Sequence, residues 1–252
     1  MSKKLLNCLL LHGFGGQPFE LKELRDYLEK QNIKTKLPCL PGHGLTLEDF
    51  NKTRYKDWLL AAKQEFQSLK TGSTPTIIIG FSMGGTLALN IAQELAVDGL
   101  VIIAGPVFLT RIFPPLYSDW RLFFVPFLKH IKPMFPVNPP HPESRQIAPW
   151  KGYENFIPLY PLDSFLKGMR KVKTRLKYIT CPFQGIYSTE DKTVPVENAF
   201  YILKKINSNK KELHLLTIKE NITSKHLLPT HQETKHIVFQ KITNFIQQNY
   251  FS

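Results

Sequence analysis

The sequence holds no apolar run long enough to cross a bilayer. The longest near its middle, LFFVPFL from Leu122 to Leu128, is far short of the ~20 residues that a spanning helix needs. Cysteine is scarce. Cys8, Cys39 and Cys181 are odd in number and widely spaced, which excludes a disulfide framework and a zinc-ligand pattern. They read as small buried hydrophobes, although Cys39 falls near a predicted loop. Acidic residues are few: 20 against 33 lysines and arginines, a formal charge of +13. Such a balance can serve nucleic acid or an anionic surface. The lysines are scattered, however, with only mild clusters at 167–177 and 204–211, and no zinc-finger, RNP or helix-turn-helix signature accompanies them. The basic residues read as a solvated face, with no nucleic-acid partner. There is no internal repeat and no low-complexity tract. The opening MSKKLLNCLLLHGFGG imitates a secretory leader, but its apolar run is short, Asn7 interrupts it and no small-x-small cleavage site follows. The expectation is a cytoplasmic protein without stable membrane insertion.

What is present is a globular pattern. The chain has 252 residues, of which 42% are hydrophobic and 21% charged, enough for one large α/β domain with a full core. LLNCLLL ends at His12-Gly13 and reads as a buried strand. A helix is expected over 18–31, with Phe19, Leu24, Tyr27 and Leu28 on one face. After the turn PGHG, a second helix carries Tyr55, Trp58, Leu59, Ala62, Phe66 and Leu69. TIIIG, DGLVIIAG, YITCPFQGIYS and ELHLLTI read as strands. GTLALNIAQELA, 196–206 and 233–249 read as helices, the second with Val196, Ala199, Phe200, Leu203 and Ile206 in register and the last with Val238, Ile242, Phe245 and Ile246 inward. Repeated β-then-α units imply a mostly parallel sheet with helices on both faces.

The alternation stops between 106 and 161. That stretch holds 12 of the 19 prolines and 12 of the 30 aromatics. It is too proline-rich for a regular α/β unit and too aromatic for a disordered linker. It reads as an insertion of short helices. Phe108, Phe113, Trp120, Phe123, Phe124 and Phe127 either form an apolar pocket under it or bury the insertion's own core.

The chemistry centres on Gly80-Phe81-Ser82-Met83-Gly84. A G-x-S-x-G pattern alone is weak, but here a buried strand precedes it and an apolar helix follows. That is the sharp strand–turn–helix elbow that presents a serine above a sheet edge. The helix N-terminus favours negative charge developing there. The oxyanion formed when a serine attacks a carbonyl needs donors. Met83 N–H is one. HGFGG, after the first strand, supplies the other in Phe14 N–H, its glycines permitting close approach. A serine also needs a base. His226 lies in the loop between the last strand and the last helix, and His231 five residues later competes with it; His214 falls inside a strand and His236 inside a helix. The base needs an acid beside it. Asp191, just past YITCPFQGIYS, fits, with adjacent Glu190 as the competitor. His43, in PGHG, reads as structural.

Together HGFGG, LPGHG, GFSMGG, EDKTVP and SKH resemble the serine α/β-hydrolases, and most closely the small carboxylesterases and monoacylglycerol lipases. The resemblance runs from Leu5 to Phe245 and is loose only over the insertion. It implies an α/β-hydrolase fold with a small cap before the acid strand, here residues 106–175, on a core formed by 1–105 and 176–252. It implies a triad of Ser82, Asp191 and His226, oxyanion donors at Phe14 and Met83, no metal and no organic cofactor. The implied reaction is ester hydrolysis; an apolar pocket under the insertion would suit a small-molecule ester with a short-to-medium apolar acyl chain, a monoacylglycerol among the candidates. A thioesterase or amidase would use the same residues. A carbon–carbon bond hydrolase or perhydrolase has no distinct motif in its favour. A noncatalytic binding protein on the same fold is the remaining rival. Oligomeric state is not legible.

Overall fold

The computed structural model describes residues 5–111, 116–117 and 119–251. Six strands form one parallel sheet: β1 (Asn7–Leu11), β2 (Lys34–Lys36), β3 (Thr76–Phe81), β4 (Gly99–Ile103), and, numbered after the insertion's own strands, β9 (Phe183–Ser188) and β10 (Lys211–Leu216). Their spatial order is β10-β9-β4-β3-β1-β2. The period of two explains how the sheet divides the core. Leu9, Leu11, Ile78, Leu100 and Ile102 face one layer. Cys8, Leu10, Ile77, Ile79, Val101 and Ile103 face the other. Because both faces are covered, β1, β3 and β4 read as continuous apolar runs rather than alternating ones.

The second layer is closed by α1 (Phe19–Glu29), through Leu21, Leu24 and Leu28, and by α9 (Lys235–Ile246), through Val238, Ile242 and Phe245. The first is closed by α3 (Tyr55–Leu69), α4 (Met83–Glu94), α7 (Leu159–Thr174) and α8 (Glu197–Lys205). The short α2 (Leu47–Lys52) is started by Thr46, whose hydroxyl accepts from Asp49 N–H at 3.1 Å and so satisfies one free amide of the first turn. Two expected helix faces are rotated. On α1 the inward position is Leu21, while Tyr27 is exposed and rests against Phe239. On α8, Ile202 is buried and Phe200 is exposed. Cys8 is buried as expected, but Cys39 is exposed. Strand β2 has a polar sequence, KTK, and carries no apolar signal of its own; pairing with β1 makes it a strand.

Residues 106–161 hold more than short helices. Besides α5 (Val125–Ile131), α6 (Ser144–Ile147) and a 3₁₀ turn at Trp120–Phe124, two antiparallel strand pairs occur. Among the described residues these are β5 (Thr110–Arg111) with β6 (Leu116–Tyr117), and β7 (Met134–Pro136) with β8 (Phe156–Pro158). Pro126 and Pro161 sit in the first turns of α5 and α7, where a missing N–H costs no helical hydrogen bond. Helix α7 anchors the segment to the sheet's helices. Tyr55 N–H donates to Ser164 Oγ at 2.9 Å, and Gln93 Nε2 donates to the Val172 carbonyl at 2.8 Å. Gly168 admits the Tyr55 ring, since a Cβ there would lie 2.6 Å from it. Among the described residues, no helix is long and apolar enough to cross a membrane.

Candidate active site

The turn between β3 and α4 forces Ser82 into φ 52°, ψ −120°, a region that non-glycine residues rarely occupy. Two glycines make the turn possible. A Cβ on Gly84 would lie 2.0 Å from the Leu11 carbonyl oxygen, and one on Gly80 would lie 2.3 Å from the Gly84 carbonyl oxygen. The strain is held by the sheet. Ser82 N–H donates to Ile103 O at 2.9 Å, and Ser82 O accepts from Gly85 and Thr86 N–H. At the head of α4, Met83 N–H has no carbonyl one turn back within the helix to pair with.

His226 lies beside this serine. Its Nε2 is 2.9 Å from Ser82 Oγ, and its Nδ1 is 2.7 Å from Asp191 Oδ2. The other carboxylate oxygen, Oδ1, accepts from Thr193 and Val194 N–H at 2.7 and 2.8 Å. Those two amides fix the carboxylate so that Oδ2 faces the imidazole. An acceptor at Nδ1 selects the Nδ1–H tautomer, leaving the Nε2 lone pair for the serine hydroxyl. Both side chains are almost wholly buried, which strengthens these interactions.

The competitors are engaged elsewhere. Glu190 pairs with Lys225, a buried lysine that also donates to Ile218 O and Asn221 Oδ1. His231 is fully buried; its Nδ1 accepts from Glu233 N–H and its Nε2 faces Glu220 Oε1 at 3.1 Å. Burial alone would raise the Glu220 carboxyl, but hydrogen bonds from Thr223, His231 and Ile222 outweigh it and hold the group at about 2. Glu220 therefore stays charged and braces the loop that carries His226. His214 stands in β10 beside Glu212, and His236 lies on α9 against Phe239. His43 is buried among His12, Phe50 and Trp58, and burial followed by the nearby His12 pushes it down to about 3. It is a neutral packing residue.

Residues 12–16 form the opposite wall. A Cβ on Gly13 would meet Ser82 Cβ at 3.4 Å, so this loop lies directly against the elbow. Burial pushes His12 down to about 4. As a neutral ring, its Nδ1 donates to Gly13 O at 3.0 Å and its Nε2 accepts from Leu40 N–H at 3.1 Å, tying the loop to the next turn. The Phe14 ring is held between Phe50, Trp58 and Phe165.

A cavity of about 720 Å³ opens over Ser82 and His226. Its apolar wall is made by Leu109, Leu122, Ile157, Leu162, Phe165 and Val194. The insertion's exposed aromatics fit neither alternative, a pocket lining or a buried core of their own. Trp120, Phe123, Phe124 and Phe127 are 40 to 65% exposed and do not line the cavity, while Phe108 is buried against Tyr201. Phe113 lies outside the described residues. Sequence reasoning also missed Glu20 and Trp150, both of which line the cavity. A signal for Glu20 existed: it precedes Leu24 and Leu28 at i, i+4 spacing, on the buried stripe of α1. Among the described residues, no group of three or more His, Cys, Asp or Glu is arranged to hold a metal ion.

An apolar cavity over a buried Ser–His–Asp array at a strained elbow, on a parallel sheet, defines an α/β-hydrolase. The family model described as serine aminopeptidase, S33, matches residues 3–218, and the chain belongs to that family. It is 31% identical over 211 residues to a thermostable monoacylglycerol lipase of Bacillus sp. (strain H-257), covering 82% of this chain and 79% of that protein. It is 22% identical over 241 residues to a carboxylesterase of Bacillus subtilis (strain 168), covering 95% of this chain and 92% of that one. Among solved structures, the fold matches a metagenome-derived lipolytic enzyme from work on LipS and LipT with a TM-score of 0.83 at 21% identity, covering 96% and 94% of the two chains. The monoacylglycerol lipase of Paleococcus ferrophilus matches with a TM-score of 0.77 at 14% identity, with the same coverage.

Proposed function

We propose that this protein is a serine carboxylic ester hydrolase. Ser82 is the nucleophile, His226 the general base and then the general acid, and Asp191 the group that orients the imidazole and stabilises its charged form. As Ser82 Oγ attacks the ester carbonyl carbon, its proton passes to His226 Nε2. The resulting oxyanion is received by the Phe14 and Met83 N–H groups. Collapse expels the alcohol, which takes the proton from His226 and leaves an acyl-serine. Water then attacks that acyl group, again giving its proton to Nε2, and the second collapse releases the acid and restores Ser82. No step calls on a metal or organic cofactor. Residues 106–175 serve as the cap over the acyl site.

The observation that carries this reading is the unbroken contact from Asp191 through His226 to Ser82 at the floor of an apolar cavity. The names of the relatives, a monoacylglycerol lipase and a carboxylesterase, support an ester over other acyl compounds. The wall of Leu109, Leu122, Ile157, Leu162 and Phe165 supports a short-to-medium acyl chain, with a monoacylglycerol among the candidates. The purified protein is expected to hydrolyse p-nitrophenyl butyrate and longer acyl homologues. A profile that peaks at acetyl and vanishes by hexanoyl would contradict the acyl site. Faster turnover of butyryl-CoA or of an acyl anilide than of the matching ester would contradict the ester assignment.

A further inference from the structure

Glu20 is a carboxyl group that the reaction just described does not use, yet it is buried beside the reacting serine. Its oxygens are divided between two donors. Oε2 accepts from Gly13 N–H at 2.7 Å, and Oε1 accepts from Trp150 Nε1–H at 2.6 Å. Gly13 belongs to the loop facing Ser82, and its peptide bond leads directly to Phe14 N–H. Trp150 belongs to the segment 106–175. The carboxylate thus bridges the oxyanion loop on one side and an indole of the overlying segment on the other.

The fit around it is close. A Cβ on Gly16 would lie 2.1 Å from Glu20 Oε1, so the loop is glycine here because the carboxylate fills that space. The residues after Trp150 dock on the same loop. Tyr153 N–H donates to Gly15 O at 3.2 Å, and the Tyr153 hydroxyl donates to Gly42 O at 2.7 Å. A Cβ on Gly152 would meet Gly15 O at 2.4 Å. The segment Trp150-Lys151-Gly152-Tyr153 is therefore a strap laid over the oxyanion loop, with Glu20 as its deepest fastening.

We propose that Glu20 is a positioning residue of the esterase reaction, clasping Gly13 and Trp150 so that Phe14 N–H is held toward the oxyanion and the strap stays seated over the cavity. This rests on the ester-hydrolase reading for its kinetic consequence, but the clasp itself has a signature that needs no turnover. Hydrogen bonds to a charged acceptor are roughly twice as strong as those to a neutral one. The clasp is accordingly tight when Glu20 is ionised and loosens when it is protonated. Burial pushes Glu20 up to about 7, with the Gly13 and Trp150 hydrogen bonds and the His226 charge acting in the opposite direction. Of the neighbouring groups, His12 is held neutral by burial. Arg145 is paired with Glu154 in the cavity wall, and the Lys151 ammonium lies over the Phe19 ring. His226 is the one whose charge acts on Glu20 across the cavity.

Glu20→Gln and Trp150→Phe test the clasp. Glutamine can still accept from Gly13 N–H but turns an NH₂ toward the Trp150 donor. Rates are measured on p-nitrophenyl butyrate and expressed per serine titrated by a fluorophosphonate. Each variant is expected to lower kcat about tenfold, the size of one lost charge-assisted hydrogen bond, with KM changed less than threefold. The double variant is expected to lose less than the product of the two single losses. In the wild type, the acid limb of kcat/KM should carry an added fall of about tenfold through the Glu20 titration, making it steeper than slope one over about one pH unit; in Glu20→Gln that step should be absent. A residue that is only structural would reduce the titrated fraction and leave kcat per serine and the slope unchanged, and that result overturns the proposal. The independent readout is the Trp150 indole N–H resonance, identified by its loss in Trp150→Phe. It should titrate with a midpoint near 7 and become pH-invariant in Glu20→Gln. Invariance in the wild type overturns the clasp. An enzyme that shows this titration but neither labels nor turns over esters refutes the ester-hydrolase reading and leaves the clasp standing.

Discussion

The elbow at residues 80–85 and the insertion at 106–161 differ in how tightly the chain around them fixes their side chains. At the elbow, glycines stand where a Cβ would strike backbone, and the serine is pinned to β4 by its own amide. In the insertion the aromatics obey no period. Trp120, Phe123, Phe124 and Phe127 point outward, while the leucines and isoleucine among them, Leu109, Leu122 and Ile157, point into the cavity. The elbow is thus fixed by local sterics, and the cavity wall by which way short hairpins and one-turn helices happen to face. The two regions should respond to mutation differently.

The largest difference should appear between neighbours in the acid loop. Asp191→Asn is expected to lower kcat by roughly 10⁴, because the amide stabilises the wrong imidazole tautomer. Glu190→Gln is expected to change it less than twofold, since Glu190 contacts Lys225 and not His226. Steady-state kinetics on one ester checks both. Equal losses would mean that the loop's charge, not the Asp191 contact, is what matters.

Stability sharpens the contrast. Gly84→Ala places a Cβ 2.0 Å from the Leu11 carbonyl oxygen, and backbone must move. Urea unfolding should show a loss of about 3 kcal/mol. Phe165→Ala, which removes the ring stacked between Phe14 and Tyr55, should cost a similar amount and shift the preferred acyl chain to longer homologues. Phe127→Ala, on the exposed side of the insertion, should stay within about 0.5 kcal/mol and leave the acyl profile unchanged. A changed profile in Phe127→Ala would return the outward aromatics to the acyl site.

Between these extremes lies Glu20. Its carboxyl is raised from 4.5 to about 7 in the folded protein. The folded state therefore binds this proton more tightly than the unfolded chain does. The stability it contributes is fully present below about pH 4.5, declines as pH rises, and is gone above about pH 7. The total change is about 3 kcal/mol. The difference in unfolding free energy between pH 5 and pH 8 should accordingly be smaller in Glu20→Gln than in the wild type, by up to that amount. An equal difference in the two proteins would show that the group is not raised.

What could be read in the sequence follows the same division. The buried strands β1, β3 and β4 and the helices α3 and α4 announce themselves by apolar runs and stripes. The elbow does so by glycines that sterics demand. Asp191 and His226 were legible as positions in loops after strands. That Glu190 and His231 are engaged elsewhere was not, because it comes from Lys225 and Glu220, contacts made by the fold. Strand β2 was hidden by its polar sequence. The rotated faces of α1 and α8 were misread because a Tyr or Phe at the edge of a stripe is as apolar as the Leu or Ile beside it. Glu20 was hidden by its charge, although its spacing from Leu24 put it on the buried face.

The proposed mechanism turns on Ser82 acting as a nucleophile activated by His226. The most direct test is to treat the folded wild-type protein and Ser82→Ala with a fluorophosphonate probe and locate the adduct by mass spectrometry. One covalent adduct is expected, on the peptide containing Ser82, and none at any site in Ser82→Ala. Folded wild-type protein that stays unlabelled, or that labels at another residue, would contradict it.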